Sequence, residues 1–318
     1  MIKSSRRRFF RRAGVLTAAA AIAPQWGWAQ GDAEPKGGRA IRLGGPIFVK
    51  TDDPEELARA HRALGYRAAY CPDVKLTDTG RIKALSDAFA KQDVAIAEVG
   101  RWVNLMEADA VKRKENLRLV TEGLALAEAI GAGCCVDIAG SRHPSVWYGP
   151  HPDNFTPAFF DEAVSNARTI IDAVQPKRAR FCYEMMGWAI PQNADTYLRL
   201  IRAIDRKGFG VHLDPCNAVN SPELYYRNTD LLNECFDKLG PWIVSCHAKD
   251  LTWDVEMNVH FREVCPGAGV LDYATYLRRL AQLDHEAFLM IEHLPNAGEY
   301  DQARRHIFSV GEKIGIRF

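Results

Sequence analysis

Arg180-Phe181-Cys182-Tyr183-Glu184 is a short apolar run that ends on a carboxylate. The same form returns in Phe209-Gly210-Val211-His212-Leu213-Asp214, in Trp242-Ile243-Val244-Ser245-Cys246-His247 and in Phe288-Leu289-Met290-Ile291-Glu292. Runs of this length and composition read as buried strands, and upstream counterparts lie near 41–48, 67–71, 94–99 and 134–139. Helical spacing fills the intervals. Asp53-Pro54-Glu55-Glu56 supplies an N-cap, a proline at the first helical position and acids in the first turn, and Gly65 ends that helix. Ile82, Leu85 and Phe89 repeat the spacing, as do Val164, Ala167, Ile171 and Val174, and Ile307, Val310 and Ile314 close the chain. Strands alternating with helices in this number over the 318-residue chain predict a (β/α)8 barrel. A doubly wound open sheet would usually carry a glycine-rich phosphate turn after its first strand, and Leu43-Gly44-Gly45-Pro46 does not match one.

In such a barrel the carboxyl ends of the strands converge on one face. Glu184, Asp214, His247 and Glu292 then become neighbours on one rim, although they are separated in sequence by whole helical returns. Three carboxylates and an imidazole make a mixed oxygen and nitrogen shell suited to one divalent metal ion, Mn²⁺ first, with Mg²⁺, Zn²⁺, Fe²⁺ or Co²⁺ as alternatives. Taken singly, each residue is as well explained as a helix cap or an ion-pair partner; their joint position argues for the metal.

Residues 1–29 are read apart from the fold. Ser5-Arg6-Arg7-Arg8-Phe9-Phe10 precedes an apolar stretch and the small-residue site Gly27-Trp28-Ala29, the layout of an export signal of the twin-arginine (Tat) type. The expected order is signal 1–29, linker 30–40 and one barrel domain over 41–318, with the Tat machinery as partner and the periplasm as destination. No stable membrane span is expected after processing. Losing 1–29 removes Lys3 and five arginines but no acid, so the formal charge moves from +1 to −5. A mildly acidic chain argues against nucleic acid as a partner. Most of the eight cysteines lie in or beside apolar runs and read as buried free thiols.

The pieces Tyr183-Glu184, His212-Leu213-Asp214-Pro215-Cys216-Asn217, Cys246-His247-Ala248-Lys249-Asp250, Pro266-Gly267-Ala268-Gly269-Val270-Leu271-Asp272 and Ile291-Glu292-His293 carry a family likeness. Over about residues 40–315 the chain resembles the sugar phosphate isomerase/epimerase group of xylose isomerase-like TIM barrels, which includes ketose 3-epimerases and endonuclease IV relatives. The resemblance implies that Glu184, Asp214, His247 and Glu292 bind one divalent metal. The family often has a histidine three residues after the aspartate, where this chain has Asn217.

Such a metal, chelating a carbonyl oxygen and the adjacent hydroxyl of a sugar, would stabilise an enediolate, with Glu184 and Glu292 as the acid/base pair. The expected activity is isomerisation or epimerisation of an unphosphorylated sugar, keto-sugar or cyclitol. Glu98, Trp102, Asn104, His143, Trp188, His212, Asn217, Lys249 and Arg262 are the expected substrate contacts. A non-catalytic periplasmic sugar-binding protein and a keto-glycoside lyase or hydrolase are the competing readings. An endonuclease IV-like phosphodiesterase is disfavoured because strands two and three end without histidine. The barrel's outer helices also allow a homodimer. N-terminal sequencing of the protein recovered from the periplasm of an expressing bacterium tests the signal: the exported chain is expected to begin at Gln30, and an intact Met1 would refute processing.

Overall fold

The computed structural model describes residues 38–318. The expected export signal and the first part of the linker, to residue 37, lie outside them. Strands β1 (Arg42–Gly44), β2 (Ala68–Tyr70), β3 (Ala95–Gly100), β4 (Cys134–Asp137), β5 (Arg180–Glu184), β6 (Phe209–Leu213) and β7 (Ile243–Ala248) follow the runs read from the sequence. Next come two further strands, β8 (Asp250–Trp253) and β9 (Phe261–Val264), which pair antiparallel as a hairpin, and then β10 (Phe288–Ile291). Eight of the ten close a barrel in the order β1-β10-β7-β6-β5-β4-β3-β2, every pair parallel. The architecture is a (β/α)8 barrel with one hairpin added after the seventh barrel strand.

The helices are α1 (Pro54–Ala63), α2 (Thr79–Lys91), α3 (Ala110–Ile130), α4 (Pro157–Val174), α5 (Ala194–Ile204), α6 (Pro215–Ala218), α7 (Pro222–Tyr226), α8 (Asn228–Leu239), α9 (Tyr273–Ala281) and α10 (Ala297–Lys313). All but α8 start on a side-chain cap: Asp53 accepts from the Glu56 amide, Asp109 from Val111 and Lys112, Thr156 from Phe159 and Asp272 from Thr275. No helix among the described residues is long and apolar enough to cross a membrane. All eight cysteines are free thiols and all but Cys71 are buried. Burial pushes Cys246 up to about 12, so it packs as a small apolar group.

Strand alternation builds the barrel interior in layers. Ala68, Ala97, Phe288 and Met290 pack together low in the barrel, with Cys134, Val136 and Cys182 beside them. A Cβ on Gly133 would lie 2.4 Å from the Phe288 ring, so glycine there lets that ring fill the floor. Above this floor the inward side chains turn polar: Glu98, His212 and Ser245, then Glu184, His247 and the strand-end Asp214 and Glu292.

Outside, tyrosine hydroxyls clasp the strands that carry those groups. Tyr197 of α5 donates to carbonyls of Tyr183 and Gly210 while accepting from the His212 amide. Tyr276 and Tyr273 of α9 donate to the carbonyls of His247 (3.0 Å) and Lys249 (2.8 Å). From inside the barrel mouth, Tyr70 reaches the Ile291 carbonyl, next to Glu292, at 3.2 Å. Each of these strands is thereby held by an outer helix or, for β10, by a tyrosine of β2 two strands away.

His61 of α1 packs between Tyr66 and Phe89 and is 5% exposed. Burial pushes its imidazole down to about 4. The unfolded chain therefore binds a proton near pH 6.5 that the folded chain refuses until about pH 4, and stability falls as pH drops through that window. His61→Leu is expected to remove on the order of 3 kcal/mol of this acid-induced loss, read from urea midpoints between pH 7 and pH 4. An unchanged pH slope would show that His61 does not govern it.

Candidate functional site

At the carboxyl end of the barrel, one atom each of Glu184, Asp214, His247 and Glu292 lies within 4.8 Å of every other. From His247 Nδ1 it is 3.0 Å to Glu184 Oε1, 3.5 Å to Asp214 Oδ2 and 2.7 Å to Glu292 Oε1. Asp214 and His247 are fully buried and Glu184 nearly so. Local sequence holds them there. Asp214 caps α6 through Oδ1, which accepts the Asn217 amide at 3.1 Å, and so turns Oδ2 toward the cluster. Asn217 Nδ2 donates to Glu184 Oε1 at 3.1 Å.

Lys249 stands at the edge of the same cluster, 3% exposed. Its Nζ is 2.8 Å from Asp214 Oδ2, 2.7 Å from Glu292 Oε1, 3.7 Å from Glu184 Oε1 and 3.5 Å from Glu263 Oε1. Asp250, the next residue, locks the backbone. Its carboxylate accepts from the amides of Leu251 (2.9 Å), Gly267 (2.9 Å), Gly269 (3.1 Å) and Leu271 (2.9 Å). A Cβ on Gly269 would sit 2.2 Å from that carboxylate, which explains glycine in the Pro266–Gly269 turn.

The electrostatics follow from burial and crowding. Burial raises Glu184 above the usual carboxylate range, His247 and Lys249 opposing it. Burial also pushes Asp214 and Glu292 up, but in Asp214 the Lys249 ammonium and His247 win and hold it well below. In Glu292 the His247 imidazole and Lys249 do the same, down to about 2. Burial pushes the His247 imidazole down, while Glu292 and Glu184 hold it well above its ordinary value.

These residues fit a divalent cation. Glu292 Oε1 and Asp214 Oδ2 are buried and have no partner in hydrogen-bonding geometry, despite the ammonium close by. With His247 neutral, as a metal ligand must be, three carboxylates against one ammonium leave two positive charges wanting, which a dication would supply. A proton on His247 Nε2, facing Glu98 Oε1 at 3.4 Å, leaves the Nδ1 lone pair turned to the carboxylate oxygens.

A cavity of about 640 Å³ opens above the cluster, lined by Glu184, Lys249 and Glu292 together with Tyr70, Trp102, Ile138, Trp147, Tyr148, Met186, Asn217, Glu263, His293 and Tyr300. Of the expected substrate contacts, Trp102, Asn217 and Lys249 line it, and six others do not. Glu98 and His212 are buried beneath the cluster: Glu98 Oε2 takes His212 Nε2 at 3.0 Å and the Ser245 hydroxyl at 2.8 Å. His212 does share the inward side with Asp214, but one layer lower. Asn104 is buried and staples two loops, donating to the Ser141 carbonyl and accepting from the Ser141 and Met106 amides. His143 Nδ1 accepts the Ser145 and Val146 amides and so shapes a turn. Trp188 is 58% exposed, outside the cavity lining. Arg262 faces solvent beside Asp254, 3.4 Å away, because alternation on β9 sends its neighbour Glu263 into the cavity instead.

Sequence reasoning passed over Glu263, His293, Tyr70 and Tyr300. Glu263 was legible from the two alternating segments 250–253 and 261–264, a hairpin signal. His293 follows Glu292 directly, adopts φ +60° and has Nδ1 3.0 Å from Glu263 Oε2. Left-handed backbone at a histidine is uncommon and concentrates at functional sites. Tyr70 and Tyr300 carry no local signal.

A family model described as xylose isomerase-like TIM barrel matches residues 57–310. Among solved structures, a xylose isomerase-like TIM barrel protein from Mycobacterium smegmatis in complex with magnesium superimposes with a TM-score of 0.62 at 18% identity, covering 86% of this chain and 97% of that one. A D-psicose 3-epimerase from Clostridium cellulolyticum H10, solved with D-tagatose, gives 0.62 at 12% identity, covering 87% and 100%. A 3-keto-D-glucoside 4-epimerase from E. coli gives 0.60 at 13%, covering 86% and 99%. No curated protein sequence matches the chain.

Glu98→Ala, which leaves the four outer donors in place, is expected to weaken Mn²⁺ binding by about 10- to 100-fold, because His247 loses the partner that orients its ring. Isothermal titration of the metal-free protein reads this directly, and an unchanged affinity would remove Glu98 from the support of the site.

Proposed function

The chain belongs to the xylose isomerase-like TIM barrel family, and on that premise we propose that it is a divalent-metal-dependent epimerase or isomerase of an unphosphorylated sugar, keto-sugar or cyclitol. The observation that carries the proposal is the pairing of Glu184 on β5 with Glu292 after β10. Both line the cavity, and their inner oxygens meet at one point with Asp214 and His247. A dication bound there would draw electron density from a carbonyl oxygen and the hydroxyl oxygen beside it, acidifying the intervening C–H. One carboxylate of the pair, ionised, removes that proton and the other, protonated, delivers one to the opposite face, which inverts the carbon. Delivery to the neighbouring carbon exchanges aldose and ketose.

Other residues support the same chemistry. Asn217 holds Glu184 by its hydrogen bond, in the place where a histidine often stands in the family. The Lys249 ammonium is positioned to face the oxygen that gains negative charge. Among the described residues Lys249 is also the one ammonium or guanidinium in the cavity lining, and carboxylates already surround it, which favours an unphosphorylated ligand. Export to the periplasm, away from most sugar phosphates, is part of this proposal.

Incubating the Mn²⁺-loaded protein in D₂O with a panel of ketoses and keto-glycosides is expected to place deuterium on the carbon beside the carbonyl, located by NMR. Glu184→Gln and Glu292→Gln, with bound metal quantified in each, are expected to slow that exchange by about 10²- to 10⁴-fold. Absence of deuterium from every sugar, or exchange undiminished in both variants, would overturn the assignment.

A further inference from the structure

The cavity exceeds what one sugar ring needs, and its charged and aromatic linings come from different parts of the rim. Allowing each heavy atom of a hexose the ~30 Å³ that a water takes in the liquid, a generous allowance, the ring fills about 360 Å³. The cavity measures about 640 Å³. Its charged groups, Glu184, Lys249, Glu263 and Glu292, come from β5, β9 and the ends of β7 and β10, whereas Trp102, Trp147 and Tyr148 come from the loops after β3 and β4.

Trp102 links the two regions, its ring centroid 6.5 Å from that of His247. Trp147 and Tyr148 meet edge to face, centroids 5.3 Å apart at 89°, which leaves flat ring surface free. All three remain 36% to 48% exposed inside a concave wall. Exposed aromatics held in a pocket beside polar groups are the usual means of binding a ring through its flat face.

This wall is anchored from below. Asn154, fully buried, donates through Nδ2 to the carbonyls of Gly149 (3.1 Å) and Trp188 (2.9 Å) and accepts the Arg142 amide at 2.8 Å. The Ser141 hydroxyl donates to the Gly149 carbonyl at 2.7 Å. His143 shapes the turn that leads into Trp147. The aromatic pair is therefore a preformed surface, and little ordering is needed when a ligand meets it.

We infer that Trp102, Trp147 and Tyr148 form a second subsite, and that the substrate is a keto-glycoside whose second ring, sugar or aryl, packs there while the first lies over the carboxylate cluster. This rests on the reading that the cluster holds a sugar.

Isothermal titration of the Mn²⁺-loaded protein with methyl 3-keto-β-D-glucopyranoside, phenyl 3-keto-β-D-glucopyranoside and 3-ketocellobiose separates the two. At least one two-ring probe is expected to bind tenfold or more tighter than the methyl glycoside, and whichever gains identifies the second ring as aryl or sugar. Trp147→Ala and Tyr148→Leu are expected to abolish that gain and leave the methyl glycoside's affinity unchanged, which also shows that the variants fold. Equal affinities for all three probes in the unmodified protein would overturn the subsite and leave the sugar site standing. Variants that lose every probe equally would overturn it too, since the rings would then only hold the cavity's shape. Binding of no probe would overturn both readings.

Discussion

Three carboxylates and one imidazole are forced together at the carboxyl end of the barrel, and much of the surrounding structure exists to tolerate it. Like charges in a site with little water repel strongly, and each carboxylate also loses its hydration on burial. Lys249 offsets part of this from one side and His247 from the centre. The two buried oxygens without a hydrogen bond, on Asp214 and Glu292, mark where compensation is still wanting.

The arrangement persists because the backbone beneath it has little freedom. Tyr197, Tyr273 and Tyr276 hold strand carbonyls from outside, and Asp250 gathers four amides to fix the loop that carries Lys249. Inside, Glu98 joins His212, Ser245 and His247 into one buried network, so the rings cannot turn independently. The positive φ of His293 sits between the last cluster residue and the β9 hairpin, where these constraints meet. Apolar floor, polar middle and charged rim thus follow one another up the same alternating strands.

The eight barrel strands were legible because each is buried on both faces and reads as an apolar run, and the helices because their caps are local. The charged cluster was legible because each member ends such a run. Glu98 was read as a substrate contact although it lies beneath the cluster: a carboxylate late in a strand looks alike whether its partners lie above it or beneath. Asn104 and His143 looked like binding groups because their side chains are polar and sit in loops, yet those atoms are consumed by nearby amides. The hairpin was overlooked because its strands are four residues each and directly follow β7.

By itself the amino-acid order determined the periodicities, and with them the barrel, the inward faces of its strands and the donors at their ends; these depend on spacing along the chain. Tertiary structure alone decided which polar groups face the cavity and which face one another, and that Trp102 from one loop lines the same cavity as Trp147 and Tyr148 from the next. Such contacts depend on strand stagger and loop closure, and those are set by packing between elements far apart in sequence.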